Sequence, residues 1–171
     1  MVTYHNDVIP VRAGEELDHD ILQSFLKEQI PSLPDEPLRI QQFRAGHSNL
    51  TYEIAAGEWE AVLRRPPIGP VAPKAHDMKR EYQILSSLNP IYPIAPKPIL
   101  YSDDTTIVGS PFFVMERKKG IVFDTEFPSS IQVTADRCRH LSEKAVAALV
   151  QLHSIDYRET DLIRLSKPEG F

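Results

Sequence analysis

At 171 residues, with 42% hydrophobic and 25% charged side chains and a formal net charge of -5, the chain has the make-up of an ordinary globular protein of one or two domains. The acidic balance argues against a nucleic-acid binder, and the single cysteine, Cys138, offers neither a disulfide framework nor a thiolate metal site. The opening MVTYHNDVIPVRAGEEL has neither a basic n-region nor an apolar h-region, and the longest helix-compatible apolar run, Ala145 to Val150, falls far short of the roughly 20 residues that cross a bilayer, so the expectation is a cytoplasmic chain outside the membrane.

In chain order, residues 15 to 30 place Leu17, Ile21, Leu22, Phe25, Leu26 and Ile30 at helical spacing, and Pro31 ends the helix because it brings no N–H to the ladder. Asp18-His19-Asp20 reads as a solvated face of that helix and not as a metal site. Three strands follow: Leu38 to Gln42, Leu50 to Ala55 and, after a turn at Gly57, Glu60 to Arg65. The second alternates Leu50, Tyr52 and Ile54 with Thr51, Glu53 and Ala55, the period of a half-buried strand. Between the first two lies the polar, glycine-containing loop Arg44 to Asn49, whose backbone amides could cradle an anion. Val62 and Arg64 are two apart in a strand and share a face, which aims a cation at the space under that loop.

The prolines at 66, 67, 70 and 73 in RPPIGPVAPKAHDM force an extended connection, after which the period becomes helical. Met78, Tyr82, Leu85 and Leu88 form one inward stripe, with Glu81 at its margin. A carboxylate there needs a partner, and Arg64 is the candidate. Two further strands, Pro98 to Ser102 and Pro111 to Glu116, flank a polar turn of Asp and Thr, and the continuous apolar run Phe112 to Met115 predicts a strand buried on both faces. The run Glu116-Arg117-Lys118-Lys119-Gly120 reads as a solvated connector. From Thr134 to Ile155 a helix carries the stripe Cys138, Leu141, Ala145, Ala148, Leu149 and Leu152, whose larger members are worth roughly 1.5 to 3 kcal/mol each when covered. That stripe predicts either self-association through the 134–155 helix or membership of a longer protein.

Six motifs in order, GHSNLTYEI, AVLRRPP, KREYQIL, APKPI, SPFFVMERKKG and ALVQLHSID, resemble the first half of the aminoglycoside phosphotransferase family, in the branch similar to the kinase domains fused to acyl-CoA dehydrogenases. The resemblance covers about residues 15 to 171. It implies an α+β fold: a protein-kinase-like small lobe, with a five-stranded antiparallel sheet and a packed helix, over residues 1–118, then a linker and the first helix of the large lobe over 119–171. It implies transfer of the γ-phosphoryl of ATP (or GTP), with Mg2+, to a hydroxyl of a small-molecule acceptor. Carried over by position, Gly46, His47, Ser48 and Asn49 form the phosphate-covering loop, with one glycine where protein kinases have three. Ala61-Val62-Leu63-Arg64 matches V-A-I-K, so Arg64 takes the place of the lysine that pairs with phosphates and with the helix glutamate, Glu81. Val62 packs on the base, Met115 is the gatekeeper, and the carbonyl of Glu116 and the amide of Lys118 read the adenine edge.

The family's catalytic loop, H-G-D with an asparagine five residues after the aspartate, and the later metal-binding Asp have no match here. His5-Asn6-Asp7 precedes the strands instead of following the hinge, and His153-Ser154-Ile155-Asp156 has the wrong spacing. No catalytic or metal residue is therefore assigned, and the 171 residues alone are expected to bind nucleotide weakly without transferring phosphate. Two readings stand: the amino-terminal half of an ATP-dependent small-molecule phosphotransferase, or a noncatalytic nucleotide-binding or interaction module left by truncation.

Overall fold

Strands β1 (Val8–Ile9), β2 (Arg39–Phe43), β3 (Leu50–Ala56), β4 (Trp59–Arg65), β5 (Pro98–Ser102) and β6 (Phe112–Glu116) form one antiparallel sheet in the order β1-β2-β3-β4-β6-β5. The computed structural model describes residues 7–44, 48–70, 75–121, 123, 127 and 131–165, and it divides into a unit of Met1–Gly120 and a unit of Ile121–Phe171. The sheet has six strands where the sequence predicts five. The sixth, β1, is too short to show alternation; it pairs Val8 with Phe43 and Ile9 with Gln42, so that β2 is no longer an open edge. Between β3 and β4, Gly57 takes φ +55 and Glu58 does not turn positive, the pattern of a II′ hairpin turn that demands glycine at its first position.

Helix α1 (His19–Gln29) is shorter than the 15–30 periodicity because Asp18 sits outside it as the N-cap, accepting from the Ile21 N–H. Leu17 before the cap and Leu22 after it belong to the same core cluster, an arrangement that fixes the angle at which the chain enters the helix. His19 places Nδ1 3.3 Å from the Leu38 carbonyl, so the Asp-His-Asp triplet is spent on capping and on a contact with the next segment. The α1 side of the sheet buries Tyr52, Ile54, Ala61, Leu63, Phe112 and Val114 against Leu22, Leu26 and Ile30. Phe112, Phe113 and Val114 are all fully buried, so β6 is covered on both faces. The polar segment between β5 and β6 folds as a one-turn helix, α3 (Thr105–Val108), started by an Asp104 cap and stopped by Gly109 at φ +81.

Arg65 points into this core. Its guanidinium donates to the Val108 carbonyl at 2.6 Å, the Glu15 carbonyl at 2.9 Å and the Tyr52 hydroxyl at 2.9 Å, while Tyr52 donates onward to the Glu15 carbonyl at 2.7 Å. One planar fork thus ties β3, β4, α3 and the segment before α1. Burial pushes the Tyr52 phenol above its ordinary value, against the lowering effect of Arg65.

In the second unit, α4 (Ala135–His153) starts at a Thr134 cap and is followed by single 3-10 turns at Tyr157–Glu159 and Asp161–Arg164. None of its described residues is buried, and Val146, Leu149 and Val150 are more than half exposed. Among the described residues no helix is long and apolar enough to cross a membrane.

Arg65→Leu should lower the urea-unfolding free energy by at least about 2 kcal/mol, because each buried acceptor left unsatisfied costs roughly 1–3 kcal/mol. A change below half a kcal/mol would show the fork to be dispensable. For Tyr52, the folded state keeps the phenol proton at pH values where the unfolded chain, with its pKa near 10.0, has released it. The contribution is therefore whole below that value and falls as the pH rises through the folded pKa. Unfolding followed from pH 9 to about 11.5 should show stability declining, with a smaller decline in Tyr52→Phe.

Candidate functional site

The hairpin register decides which side chains meet. Glu53 faces Val62, Val62 faces Met115, and Arg64 faces Phe113, so these five share the sheet face opposite to the one that holds Tyr52, Leu63 and Val114. Helix α2 (Met78–Leu88) lies on this same face: Tyr82 rests its ring 6.5 Å from Phe113 and 5.9 Å from Tyr101, and Met78 is buried. Asp77 caps α2 by accepting from the Arg80 N–H, which sets Glu81 in the first turn.

Arg64 and Glu81 meet there, with Nε 3.4 Å from Oε2. Both side chains keep about a third of their surface, 35% and 33%, so the pair is neither a freely solvated contact nor a sealed one. The second carboxylate oxygen is also taken: Asn49 donates from Nδ2 to Glu81 Oε1 at 3.1 Å. Asn49 is buried, and its Oδ1 lies 2.5 Å from His76 Nδ1. His76 holds φ +57, the one positive value among the described residues that are not glycine.

Of the other predicted positions, Gly46 and His47 lie outside the described residues, and Ser48 is exposed. Val62 is buried and Met115 half-buried on the Arg64 face. Glu116 is engaged twice over. Its carboxylate accepts from the Lys118 ammonium at 2.9 Å and from the Lys97 N–H at 3.0 Å, which together hold it below the usual carboxylate range, and its own N–H donates to the Lys97 carbonyl at 2.7 Å. Lys118 also donates to the Pro93 carbonyl at 3.1 Å.

The connector after β6 is exposed from Lys118 to Gly120, as the solvated reading expects, but Arg117 is buried. Its guanidinium pairs with Glu53, lies 3.2 Å from Asp7 Oδ1 and 3.9 Å from Glu60 Oε2, and stacks 5.5 Å over Phe43. Arg117 stands two residues beyond Met115, so the alternation of β6 carries it under the sheet, where Glu53 in the middle of β3 requires a cation. Lys119 stays at the surface and reaches Glu60 at 2.7 Å. The signal in the sequence was Glu53 itself, a carboxylate inside an apolar strand. His76 and Asn49 gave less: the first sits in a proline-rich connection, and the second was read only as part of the loop.

Residues 39–171 match the sequence model of the phosphotransferase enzyme family. The chain is 34% identical over 164 residues to human acyl-CoA dehydrogenase family member 11, and 32% identical over 165 residues to the chicken (Gallus gallus) protein of that name; each match covers 94% of this chain and 21% of the relative. Mouse acyl-CoA dehydrogenase family member 10 is 30% identical over 158 residues, 92% of this chain and 15% of the relative. The chain thus spans about a fifth or less of the length of these relatives. A crystal structure from Ralstonia eutropha, of a protein assigned to the aminoglycoside phosphotransferases, shares the fold with a TM-score of 0.63 at 20% identity, over 84% of this chain and 40% of that one. With more than half its length matched, and with a sheet and helix arranged as in the kinase-like fold, the chain belongs to the phosphotransferase enzyme family.

Proposed function

We propose that these residues form the nucleotide-binding part of an ATP-dependent phosphotransferase (GTP being the alternative donor) that phosphorylates a hydroxyl of a small molecule. The observation that carries this reading is the Arg64–Glu81 pair under the exit of the 44–49 loop. Phosphoryl transfer asks little covalent chemistry of a protein; it asks for positioning and for positive charge beside the phosphate oxygens. Arg64 suits the task because a guanidinium can give Nε to a carboxylate and still direct its terminal nitrogens at a phosphate, which a single ammonium cannot do with the same geometry. In this reading Gly46, His47, Ser48 and Asn49 cover the phosphates, Val62 and Met115 pack against the base, and the Glu116 carbonyl and Lys118 amide read its edge. Residues 1–118 are then the nucleotide roof and 119–171 the start of a second, helical lobe.

Within the described residues, no group of three or more His, Cys, Asp or Glu is placed to hold a metal ion. In this reading these residues bind and orient the donor, and the step of transfer itself is not assigned to them.

The test is nucleotide affinity in the natural full-length protein. Arg64→Ala should raise the Kd for ATP about ten- to a hundredfold by calorimetry, the loss expected for hydrogen bonds to a charged group. Unchanged affinity would remove Arg64 from the site. Glu81→Gln keeps the Asn49 contact but not the charge, and should weaken ATP binding several-fold while changing unfolding stability by no more than about 1 kcal/mol. A protein that binds ATP through Arg64 yet transfers no phosphate to any hydroxyl acceptor would favour the noncatalytic nucleotide-binding reading.

A further inference from the structure

The amide orientation of Asn49 is dictated by its neighbours. Glu81 as a carboxylate can only accept, so Asn49 must turn Nδ2 toward it, which leaves Oδ1 facing His76. Oδ1 in turn can only accept. His76 must then donate from Nδ1, as the Nδ1–H tautomer or as the imidazolium. The result is a directional pair of hydrogen bonds, His76 donating to Asn49 and Asn49 to Glu81, and the other oxygen of Glu81 stands in an ion pair with Arg64. It joins four separate segments, namely the connection before α2, the exit of the 44–49 loop, the first turn of α2 and strand β4.

His76 reaches Asn49 while holding a left-handed backbone that residues with a Cβ seldom adopt, although histidine, with asparagine and aspartate, is among the more tolerant. The residue after it is the Asp77 cap, so the turn at His76 sets both where α2 begins and where the imidazole points. Strained backbone held by a side-chain network recurs at functional sites. Here the network ends on the carboxylate that faces Arg64.

We propose that His76 is a positioning residue of the nucleotide site: through Asn49 it holds the exit of the loop and the Glu81 carboxylate in the arrangement in which Arg64 is presented to phosphate. This rests on the phosphotransferase reading for its consequence, although not for its geometry. Without the donor, the Asn49 amide is held at its nitrogen alone, so the Glu81 carboxylate loses a rigidly held partner and the loop exit is tied to α2 through a single hydrogen bond.

Two substitutions in the natural full-length protein separate the backbone from the donor. His76→Gly accepts the left-handed conformation but donates nothing; His76→Asn accepts it and offers an N–H. Amide hydrogen exchange at residues 48–50 and 78–82, measured without nucleotide, should accelerate about tenfold in His76→Gly, the effect of one lost hydrogen bond. The KM for ATP should rise by a similar factor, with kcat changing less. His76→Asn should recover most of both. Wild-type exchange and KM in His76→Gly would overturn the proposal, and so would equal impairment of the two variants, because the donor would then not be the acting group. If the wild type neither binds nor uses ATP, the phosphotransferase reading fails, and the exchange measurement still decides the relay.

Discussion

Adjacent arginines in one strand must point to opposite faces of the sheet, and most of what this structure does follows from how Arg64 and Arg65 are each answered. Arg65 is driven into the core between the sheet and α1, where a lone cation would be prohibitive. It is met there by two backbone carbonyls and the Tyr52 hydroxyl, and by no carboxylate in hydrogen-bond contact among the described residues. Its charge is spread over oriented dipoles and its planar fork becomes a strut. Arg64 emerges on the other face, about a third exposed, with Glu81 as its acidic partner. The first arrangement is a solution for stability; the second leaves a cation that a new anion can compete for.

The contrast explains why the Arg64 side is built from several weak ties. A partly exposed ion pair is worth only ~0 to 1 kcal/mol, too little to fix a helix against a sheet. Tyr82 against Phe113 and Tyr101, and the buried Met78 at the start of α2, supply the apolar contact that the pair lacks. Arg117 does the corresponding work at the other end of β6. Its buried guanidinium, held by Glu53, Asp7 and Glu60, fastens the chain leaving the sheet to β3, to β4 and to the segment entering β1. One cation against three carboxylates leaves an acidic excess, relieved at the rim by Lys119 on Glu60.

How much of this was legible in the sequence depends on the range of the interaction. Periodicity is local, so β2 to β6, α2 and α4 could be read within a residue or two, and so could the pairing of Arg64 with Glu81, because a strand and a helix separated by a single connection have few ways to meet. Strand β1 could not, since two residues carry no period and only the β2 edge makes them a strand. The one-turn helix α3 was hidden among residues that also make turns, although Asp104 and Gly109 are its start and stop signals. Arg117 was misread because charge runs are usually solvated. Only the tertiary fact that Glu53 lies beneath the sheet distinguishes Arg117 from Lys118 and Lys119.

The loop proposed to cover the phosphates poses the last question, because one glycine stands where protein kinases have three and glycine supplies the close backbone approach to an anion. At the exit of this loop the ordering comes from side chains instead. Asn49 is buried and fixed at both ends of its amide, by His76 on the oxygen and by Glu81 on the nitrogen. A loop exit pinned in this way gives up less conformational freedom on binding than a glycine-rich one. Its fixed point is also the carboxylate that orients Arg64. Loop exit, helix and cation therefore meet at Glu81 through hydrogen bonds and an ion pair, and under the proposed function a phosphate drawn to Arg64 would be felt at all three.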